Sequence, residues 1–396
     1  MSRSGRLSWL MFLNSKNYNL DPQDTISTLP EDVIHHIISF LETEDKEQLR
    51  LLSRKWRLVH SQTQKYLCFS ECFSLDEQQI STIIQDYFPS AESLVLEDCS
   101  EIKNLKIANN KLTHIIVCKC EDLEKVELST PNLQHLYFYG AVRQPCVFEL
   151  IDTTKLKKLM FDGEYIIDDN TFLDCDKTFP VLEDLTLGCS YYMPHHLKIS
   201  SRSLKNISLF DLKKPVDITI DAEALVCIQY KDHLIHNFSN SNIPNVQNAI
   251  IEFNTHTNQE PDDSWFQKVV GMLQAFKPSD TLLLKVESDK SLVIPEEARR
   301  SLFPPISVGP ETLTVEIDKA TESVADLLDF IFWISPRAED VTICRESAVI
   351  SIQMKHGEIS GISQNHSCCA SFLEKCWRHS LEEVRLMCEF DESKGR

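Results

Sequence analysis

A six-residue pattern of apolar and polar positions recurs through the middle of the chain. The pattern is apolar-x-x-apolar-x-apolar, and successive copies begin 21, 21, 23, 26, 22, 21 and 21 residues apart. Its copies begin at Ala91, Leu112, Leu133, Leu156, Leu182, Leu204, Leu225 and Val246, of which the first and the last two are weaker. A period of this length is typical of repeats that each add one short strand to a shared parallel sheet. The pattern therefore predicts an α/β fold built around a solenoid of repeats.

A second copy of the pattern lies half a period later in the early repeats, beginning at Ile102 and Leu123. Too few residues separate these strands for a helix, so we expect short extended segments on the convex side up to about Tyr139. The longer steps that begin at Leu133 and Leu156 leave room for loops or helical turns. The units resemble irregular leucine-rich repeats, which implies a horseshoe lined by a parallel sheet.

The third and fifth residues of each pattern are expected to point away from the core, because side chains alternate along a strand. The fifth positions are Val95, Ile116, Tyr137, Met160, Thr186 and Ser208, and the third positions are Ser93, His114, His135, Lys158, Asp184 and Asn206. Four successive fifth positions are apolar, which favours an interaction patch, although a loop or the C-terminal region could cover it instead. The candidate target-binding residues are Val95, Ile116, Tyr137, Tyr139, Met160, His135 and Lys158.

After Asn254 the rhythm changes, and helices alternate with strands. We predict a helix from Glu260 to Phe276 that is capped by Asp263 or Ser264. A second helix is predicted over 321–333, and strands over 281–286, 312–317, 340–343 and 382–386. This part of the chain is predicted to be a mixed α/β region whose irregular repeats continue the sheet and cap its end.

The segment from Asp24 to Gln64 predicts a pair of short amphipathic helices. Pro30 suits a first helical turn, where its missing N–H would be unpaired anyway. An apolar stripe follows at Val33, Ile34, Ile37, Ile38 and Leu41, and a second one at Leu49, Leu52, Trp56 and Val59. Two helices this short cannot bury both stripes against each other. The pair is therefore expected to pack on the following domain or to dock on another protein.

This segment resembles an F-box, the module that binds Skp-family adaptors in SCF ubiquitin ligases. The matching residues are Leu29-Pro30, Ile37-Ile38-Ser39-Phe40-Leu41 and Leu51-Leu52-Ser53-Arg54-Lys55-Trp56-Arg57, whereas Lys46, Glu47 and His60 depart from the usual pattern. The resemblance implies that the adaptor is bound by Leu29, Pro30, Ile34, Ile37, Ile38, Leu41, Leu52 and Trp56. The segment that begins at Cys376 also resembles the closing segment of plant F-box/LRR and FBD-type proteins.

These features divide the chain into four parts. Residues 1–22 are expected to form a flexible tail, 23–66 a short helical F-box, 67–255 the irregular leucine-rich repeats, and 256–396 the FBD-like C-terminal repeats and cap. The resemblance implies a non-catalytic substrate-recognition subunit that binds a Skp-family adaptor, through it a cullin scaffold, and an unknown target protein. An interaction scaffold without ligase activity and a small-molecule co-receptor are the alternatives. The expected location is the cytoplasm, the nucleus or both.

Charge and composition limit the other classes of partner. The chain has 60 acidic and 40 basic residues, a formal net charge of -20, which argues against general binding of nucleic acids or anionic membranes. Its apolar runs are far shorter than the roughly 20 residues of a membrane helix. Fourteen cysteines follow no regular framework, which indicates free thiols in a reducing compartment.

The sequence offers few candidates for catalytic or metal-binding residues. Cys376-x-x-His379, close to Cys368 and Cys369, could supply zinc ligands, but adjacent cysteines fit a tetrahedral site poorly, so ordinary thiols are favoured. The pairs His35-His36 and His195-His196 are expected at the surface. The chain has neither a glycine-rich phosphate loop nor a Gly-x-Ser-x-Gly or His-Glu-x-x-His motif. We therefore expect no catalytic residues, no metal and no cofactor.

Overall fold

The computed structural model describes residues 29–40, 65–70, 77–84, 88–100, 102–140, 145–166, 172, 174–190, 192–238, 241–253, 261–276, 279–295, 310–336, 338–345, 348–354, 378 and 381–388. The chain divides into two compact units, which we call unit 1 (Met1–Leu156) and unit 2 (Lys157–Arg396).

The described residues of unit 1 form an amphipathic helix, short parallel strands and a further short helix. Its elements in chain order are α1 (Glu31–Phe40), β1 (Tyr66–Ser70), α2 (Glu77–Thr82), β2 (Ser93–Glu97), β3 (Asn104–Ala108), β4 (His114–Cys118), β5 (Lys125–Ser129), β6 (His135–Tyr139) and β7 (Cys146–Ile151). Strands β1, β2, β4 and β6 pair in that order in a parallel principal sheet. Strands β3, β5 and β7 form a parallel second sheet. Each repeat thus adds one strand to each sheet.

The core of unit 1 is built from the alternation that the sequence predicts. On β4, Ile115 and Val117 are fully buried, whereas His114 and Ile116 are only half-buried. The two sheets contact each other through aromatic side chains. The ring centroids of Phe138 on β6 and Phe148 on β7 lie 4.7 Å apart. The first, fourth and sixth positions of the repeat pattern are therefore the buried ones.

Unit 2 continues the same architecture and then changes it. Its elements are β8 (Lys158–Asp162), β9 (Tyr165–Ile166), α3 (Cys175–Thr178), β10 (Asp184–Gly188), β11 (His196–Ser200), β12 (Asn206–Phe210), β13 (Asp217–Asp221), β14 (Cys227–Asp232), β15 (Asn237–Phe238), β16 (Asn248–Phe253), α4 (Asp263–Ala275), β17 (Thr281–Ser288), a 3-10 turn (Asp289–Ser291), β18 (Thr312–Lys319), α5 (Val324–Ile334), β19 (Asp340–Arg345), β20 (Ala348–Met354) and β21 (Leu381–Cys388).

The principal sheet of unit 2 is parallel over most of its width. Strands β8, β10, β12, β14, β16, β17, β18 and β19 pair in that order, and β20 and β21 close the sheet in antiparallel orientation. Strands β11, β13 and β15 form a parallel second sheet. The predicted parallel-strand repeats with a mixed α/β C-terminal part are confirmed.

The limit that we predicted for the convex strands is wrong. Second-sheet strands do not stop near Tyr139, since β7, β11, β13 and β15 all follow it. The later repeats keep buried pairs at the half-period, such as Leu197 with Ile199 and Ile218 with Ile220. The step that begins at Leu156 does contain a helical turn, α3, as the extra residues allow.

In the C-terminal part, the predicted helices and strands are present with shifted ends. The first helix is capped by Asp262, whose carboxylate accepts the Trp265 N–H at 2.8 Å, so neither Asp263 nor Ser264 is the cap. The second helix begins after its cap, Ser323. Strand β20 was not predicted, although Ile350-Ser351-Ile352-Gln353-Met354 alternates apolar and polar residues.

Four principal strands end in the same backbone corner. The residue after the strand has a positive φ at Asp98 (51°), Lys119 (52°), Cys189 (59°) and Asp211 (49°). Its N–H then donates to a carbonyl at or next to the end of the next principal strand, as from Asp98 to the Cys118 carbonyl at 3.1 Å. A residue in this left-handed backbone conformation turns the chain out of the sheet while its N–H stays hydrogen-bonded.

Candidate functional site

The outward face of the principal sheet in unit 1 carries a row of apolar side chains. Val95, Ile116 and Tyr137 are paired in register across β2, β4 and β6, and all three are half-buried. Neighbouring strands lie about 4.8 Å apart, so the row extends over about 10 Å. The predicted row is therefore present in unit 1.

Strand β1 extends this surface, and sequence analysis missed it because the F-box boundary was set at residue 66. Tyr66 pairs with Ser93 and is 55% exposed, and Cys68 pairs with Val95. The signal was the alternation in which Leu67 and Phe69 are buried. We call Tyr66, Val95, Ile116, Tyr137 and Tyr139 the apolar patch.

Two histidines border the apolar patch on the third-position row. His114 and His135 are register neighbours whose rings meet edge to face, with centroids 4.3 Å apart. Nδ1 of His114 is also hydrogen-bonded to Oγ1 of Thr113 at 2.8 Å. The ring centroids of His135 and Tyr137 lie 6.3 Å apart, and the angle between the two ring planes is 81°. The patch is therefore bordered by aromatic rings on β4 and β6.

The opposite border is formed by the last residues of the four principal strands of unit 1, which are Ser70, Glu97, Cys118 and Tyr139. Tyr139 is 38% exposed. Burial, and then the negative charge of Glu97, raises the pKa of the Cys118 thiol. This thiol is thus protonated at neutral pH and behaves as a small apolar group at the edge of the patch.

The remaining two target-binding candidates lie in unit 2. Met160 is half-buried and pairs in register with Thr186. The Lys158 ammonium lies 2.7 Å from the Asp184 carboxylate, so its charge is already matched within the sheet. The positions that continue the Met160 row are polar at Thr186, Ser208 and Gln229.

Half of the predicted adaptor-binding residues can be placed. Leu29 is half-buried and Pro30 is exposed immediately before α1, and the Pro30 carbonyl accepts the Ile34 N–H at 3.1 Å. Ile37 is half-buried, whereas Ile34 is fully buried, so Ile34 would act by packing rather than by direct contact. The side chain of Ile38, the residues Leu41, Leu52 and Trp56, and the predicted tail lie outside the described residues.

In unit 2, Asp232 and His236 form a buried polar cluster that resembles a catalytic pair but has a structural role. We call this pair the clip. The Asp232 carboxylate accepts N–H groups of Leu212 at 2.6 Å and Leu234 at 2.9 Å, and it lies 3.1 Å from Nε2 of His236. Nδ1 of His236 accepts the Val216 N–H, so the ring proton sits on Nε2 and is donated to Asp232. Both side chains are inaccessible to substrate.

Replacing Asp232 with asparagine is expected to lower the free energy of unfolding by about 2 kcal/mol, because the amide cannot accept all three hydrogen bonds. Urea unfolding measures this change. Asp221→Asn is the matched control, since Asp221 is exposed and, among the described residues, its carboxylate accepts one hydrogen bond, from the Asn242 side chain. Equal losses in the two variants would contradict the role of the clip.

Other candidate chemistry gains no support from the described residues. Burial raises the pKa of Cys146 and of Cys175 to about 12, so neither is a thiolate nucleophile at neutral pH. No group of three or more metal-ligating side chains occurs among the described residues, and Cys368, Cys369, Cys376 and His379 lie outside them. His36, His195 and His196 are exposed, as predicted.

No helix among the described residues has both the length and the apolar character that a membrane span requires.

Two family models match the chain. The F-box domain model matches residues 26–59, and a leucine-rich-repeat model described as the At1g61320/AtMIF1 LRR domain matches residues 77–210. The first match contains α1, and the second spans α2 to β12. The matched ranges thus agree with the predicted order of F-box and repeats.

Several Arabidopsis thaliana proteins are similar to this chain. F-box/LRR-repeat protein At3g59250 is 25% identical over 254 residues, which cover 62% of this chain and 57% of the relative. The putative F-box protein At3g58950 is 26% identical over 235 residues, which cover 58% and 49%. The putative F-box/LRR-repeat protein At3g59230 is 53% identical over 45 residues, which cover 11% and 9%.

Two further relatives are named as FBD-associated F-box and F-box/FBD/LRR-repeat proteins. The chain spans about half the length of the first two relatives, at 57% and 49%. The chain therefore contains regions that match the F-box and leucine-rich-repeat family models, and it is similar to F-box/LRR-repeat proteins of Arabidopsis thaliana.

Proposed function

We propose that this protein is a substrate-recognition subunit of an SCF-type ubiquitin ligase. The observation that carries the proposal is the F-box at residues 26–59, in which the half-buried Leu29 and exposed Pro30 precede an amphipathic helix. In this proposal the F-box binds a Skp-family adaptor, and the adaptor binds a cullin scaffold.

The chain would contribute proximity rather than chemistry. Holding a target beside a charged conjugating enzyme raises the effective concentration of the target lysines near ubiquitin. No catalytic residue is required for this role, and the protonated thiols at Cys146 and Cys175 are compatible with it. Free thiols also favour a reducing location, so we propose the cytoplasm, the nucleus or both.

The apolar patch is the proposed target-binding surface. Val95, Ile116 and Tyr137 are contiguous through strand register, and Tyr66 and Tyr139 are 55% and 38% exposed. Tyrosines supply large contact areas at low conformational cost and are enriched at protein interfaces. Met160 and Lys158 remain candidates in unit 2, where Lys158 would first have to leave Asp184.

Replacing Tyr137 with aspartate is expected to reduce target capture at least about tenfold, because the target would bury an unpaired carboxylate. Proximity labelling in cells, with the F-box disabled so that targets are not degraded, measures the labelled proteins. Tyr192→Asp is the matched control, since Tyr192 is 49% exposed in unit 2. Unchanged labelling by Tyr137→Asp would contradict the assignment of the patch.

A small-molecule co-receptor is less consistent with the described surface. Binding of a phosphorylated small molecule would require cationic side chains, and Lys158 is paired with Asp184. Thermal-shift screening with plant hormones and inositol phosphates tests this alternative, and we expect no stabilisation.

A further inference from the structure

The fifth residue of a principal strand lies two residues after the row that contains Val95, and it is acidic on β2 in unit 1 and on β16 and β18 in unit 2. On β16 and β18 this acidic residue pairs with a lysine on a neighbouring strand. Nζ of Lys231 lies 2.8 Å from Oε1 of Glu252, and Nζ of Lys285 lies 2.5 Å from Oε2 of Glu316. Glu252 and Lys285 are themselves register neighbours, so the four residues form a ladder of alternating charge. Such acidic side chains are neutralised within the sheet.

Glu97 occupies the equivalent position in unit 1, and its surroundings differ. Its register neighbours are Ser70 and Cys118, neither of which is a cation. Within the part of the chain that the structure describes, the half-buried Glu97 carboxylate has no ion pair and no hydrogen bond. Asp98 follows it at the corner, and Lys119 is at the corresponding corner of the next principal strand. Among the described residues, two carboxylates thus share this end of the patch with the Lys119 ammonium group.

This arrangement constrains any protein that covers the apolar patch. Glu97 lies two residues from Val95 on the same outward face, about 7 Å along the strand. A partner that packs on Val95 and Ile116 removes water from the Glu97 carboxylate as well. Burying an unpaired charge is costly, whereas a charge-assisted hydrogen bond offsets that cost. A suitable partner therefore brings its own cation.

We propose that the target segment bound by the apolar patch is an extended stretch in which an apolar or aromatic side chain is followed or preceded, within about three residues, by Lys or Arg. The cation pairs with Glu97 while the apolar side chain packs on Val95, Ile116 and Tyr137. The spacing follows from the rise of about 3.3 Å per residue in extended chains. This inference rests on the proposed function, because it takes the patch as the target-binding surface.

Selection of peptides tests the inference without a known target. A phage-displayed library of random peptides is selected on the full chain, with Tyr137→Asp used to remove peptides that bind elsewhere. We expect the enriched peptides to combine an aromatic or aliphatic residue with a nearby Lys or Arg. A synthetic peptide from this set should bind Glu97→Lys at least about tenfold more weakly than the unmodified chain. The same peptide with its basic residue replaced by Glu should prefer Glu97→Lys.

Glu149→Lys is the matched control for the change in net charge. Glu149 is exposed on β7 of the second sheet and pairs with Lys125 at 2.8 Å, so its reversal should change peptide affinity less than about twofold. Enrichment without a basic residue, or equal losses in Glu97→Lys and Glu149→Lys, would overturn the inference and leave the patch as the target site. If no enriched peptide depends on Tyr137, both the inference and the proposed target site are wrong.

Discussion

Replacing Asp289 with alanine is expected to lower the free energy of unfolding of unit 2 by about 3 kcal/mol. Asp289 is fully buried in the turn after β17. Its carboxylate accepts the N–H groups of Thr321 and Glu322 at 2.9 to 3.0 Å and the Thr321 hydroxyl at 2.8 Å. It also pairs with the Arg345 guanidinium at 3.2 Å. The variant leaves these donors without their acceptor and the arginine without its counter-charge.

Urea unfolding followed by tryptophan fluorescence measures this loss, since Trp265 and Trp333 lie in the same unit. Asp318→Ala is the matched control, because Asp318 is exposed at the end of β18 and should change stability by less than about 0.5 kcal/mol. A loss for Asp289→Ala as small as that of the control would show that the cluster does not stabilise the C-terminal part.

The double variant Leu29→Ala/Pro30→Ala is expected to weaken binding of a Skp-family adaptor at least about 100-fold. These two side chains begin the F-box, and truncating a central interface residue commonly costs about 2 kcal/mol. Alanine keeps the backbone carbonyl of residue 30, which accepts the Ile34 N–H, so α1 should persist. The loss would therefore report on side-chain contacts with the adaptor.

Isothermal titration with a recombinant Skp-family adaptor measures the affinity. The matched control is Leu234→Ala/Pro244→Ala, a chemically identical pair of changes at accessible positions in unit 2. The control should bind the adaptor like the unmodified chain. Adaptor binding that survives in the F-box variant within about threefold would contradict the assigned contact residues.

The repeats were predictable from sequence because each one depends on the burial of alternate apolar side chains along a strand. Each pattern places its first, fourth and sixth residues in the core, and in the copy that begins at Leu112 all three are fully buried. The outward direction of Ile116 and Tyr137 follows from the same alternation. In contrast, the first strand of the sheet, which contains Tyr66, was missed because it adjoins the F-box without a break in composition.

The polar clusters could not be predicted, because they join residues that are distant in sequence. Asp289 and Arg345 are 56 residues apart, and their contact depends on how β17, α5 and β19 are arranged. The cap at Asp262 was missed for a local reason, since three neighbouring residues can all cap a helix and only the backbone decides among them. That Glu97 has no ion pair among the described residues likewise depends on the register of three strands.

The central claim is that this chain brings a target to a ubiquitin ligase, and co-purification of the cullin tests it most directly. The tagged full chain is isolated from plant cells, and adaptor and cullin are quantified by mass spectrometry, with Leu29→Ala/Pro30→Ala as the comparison. We predict adaptor and cullin in about equal amounts with the unmodified chain, and the loss of both with the variant. Recovery of the adaptor without the cullin would contradict the ligase assignment and favour an interaction scaffold.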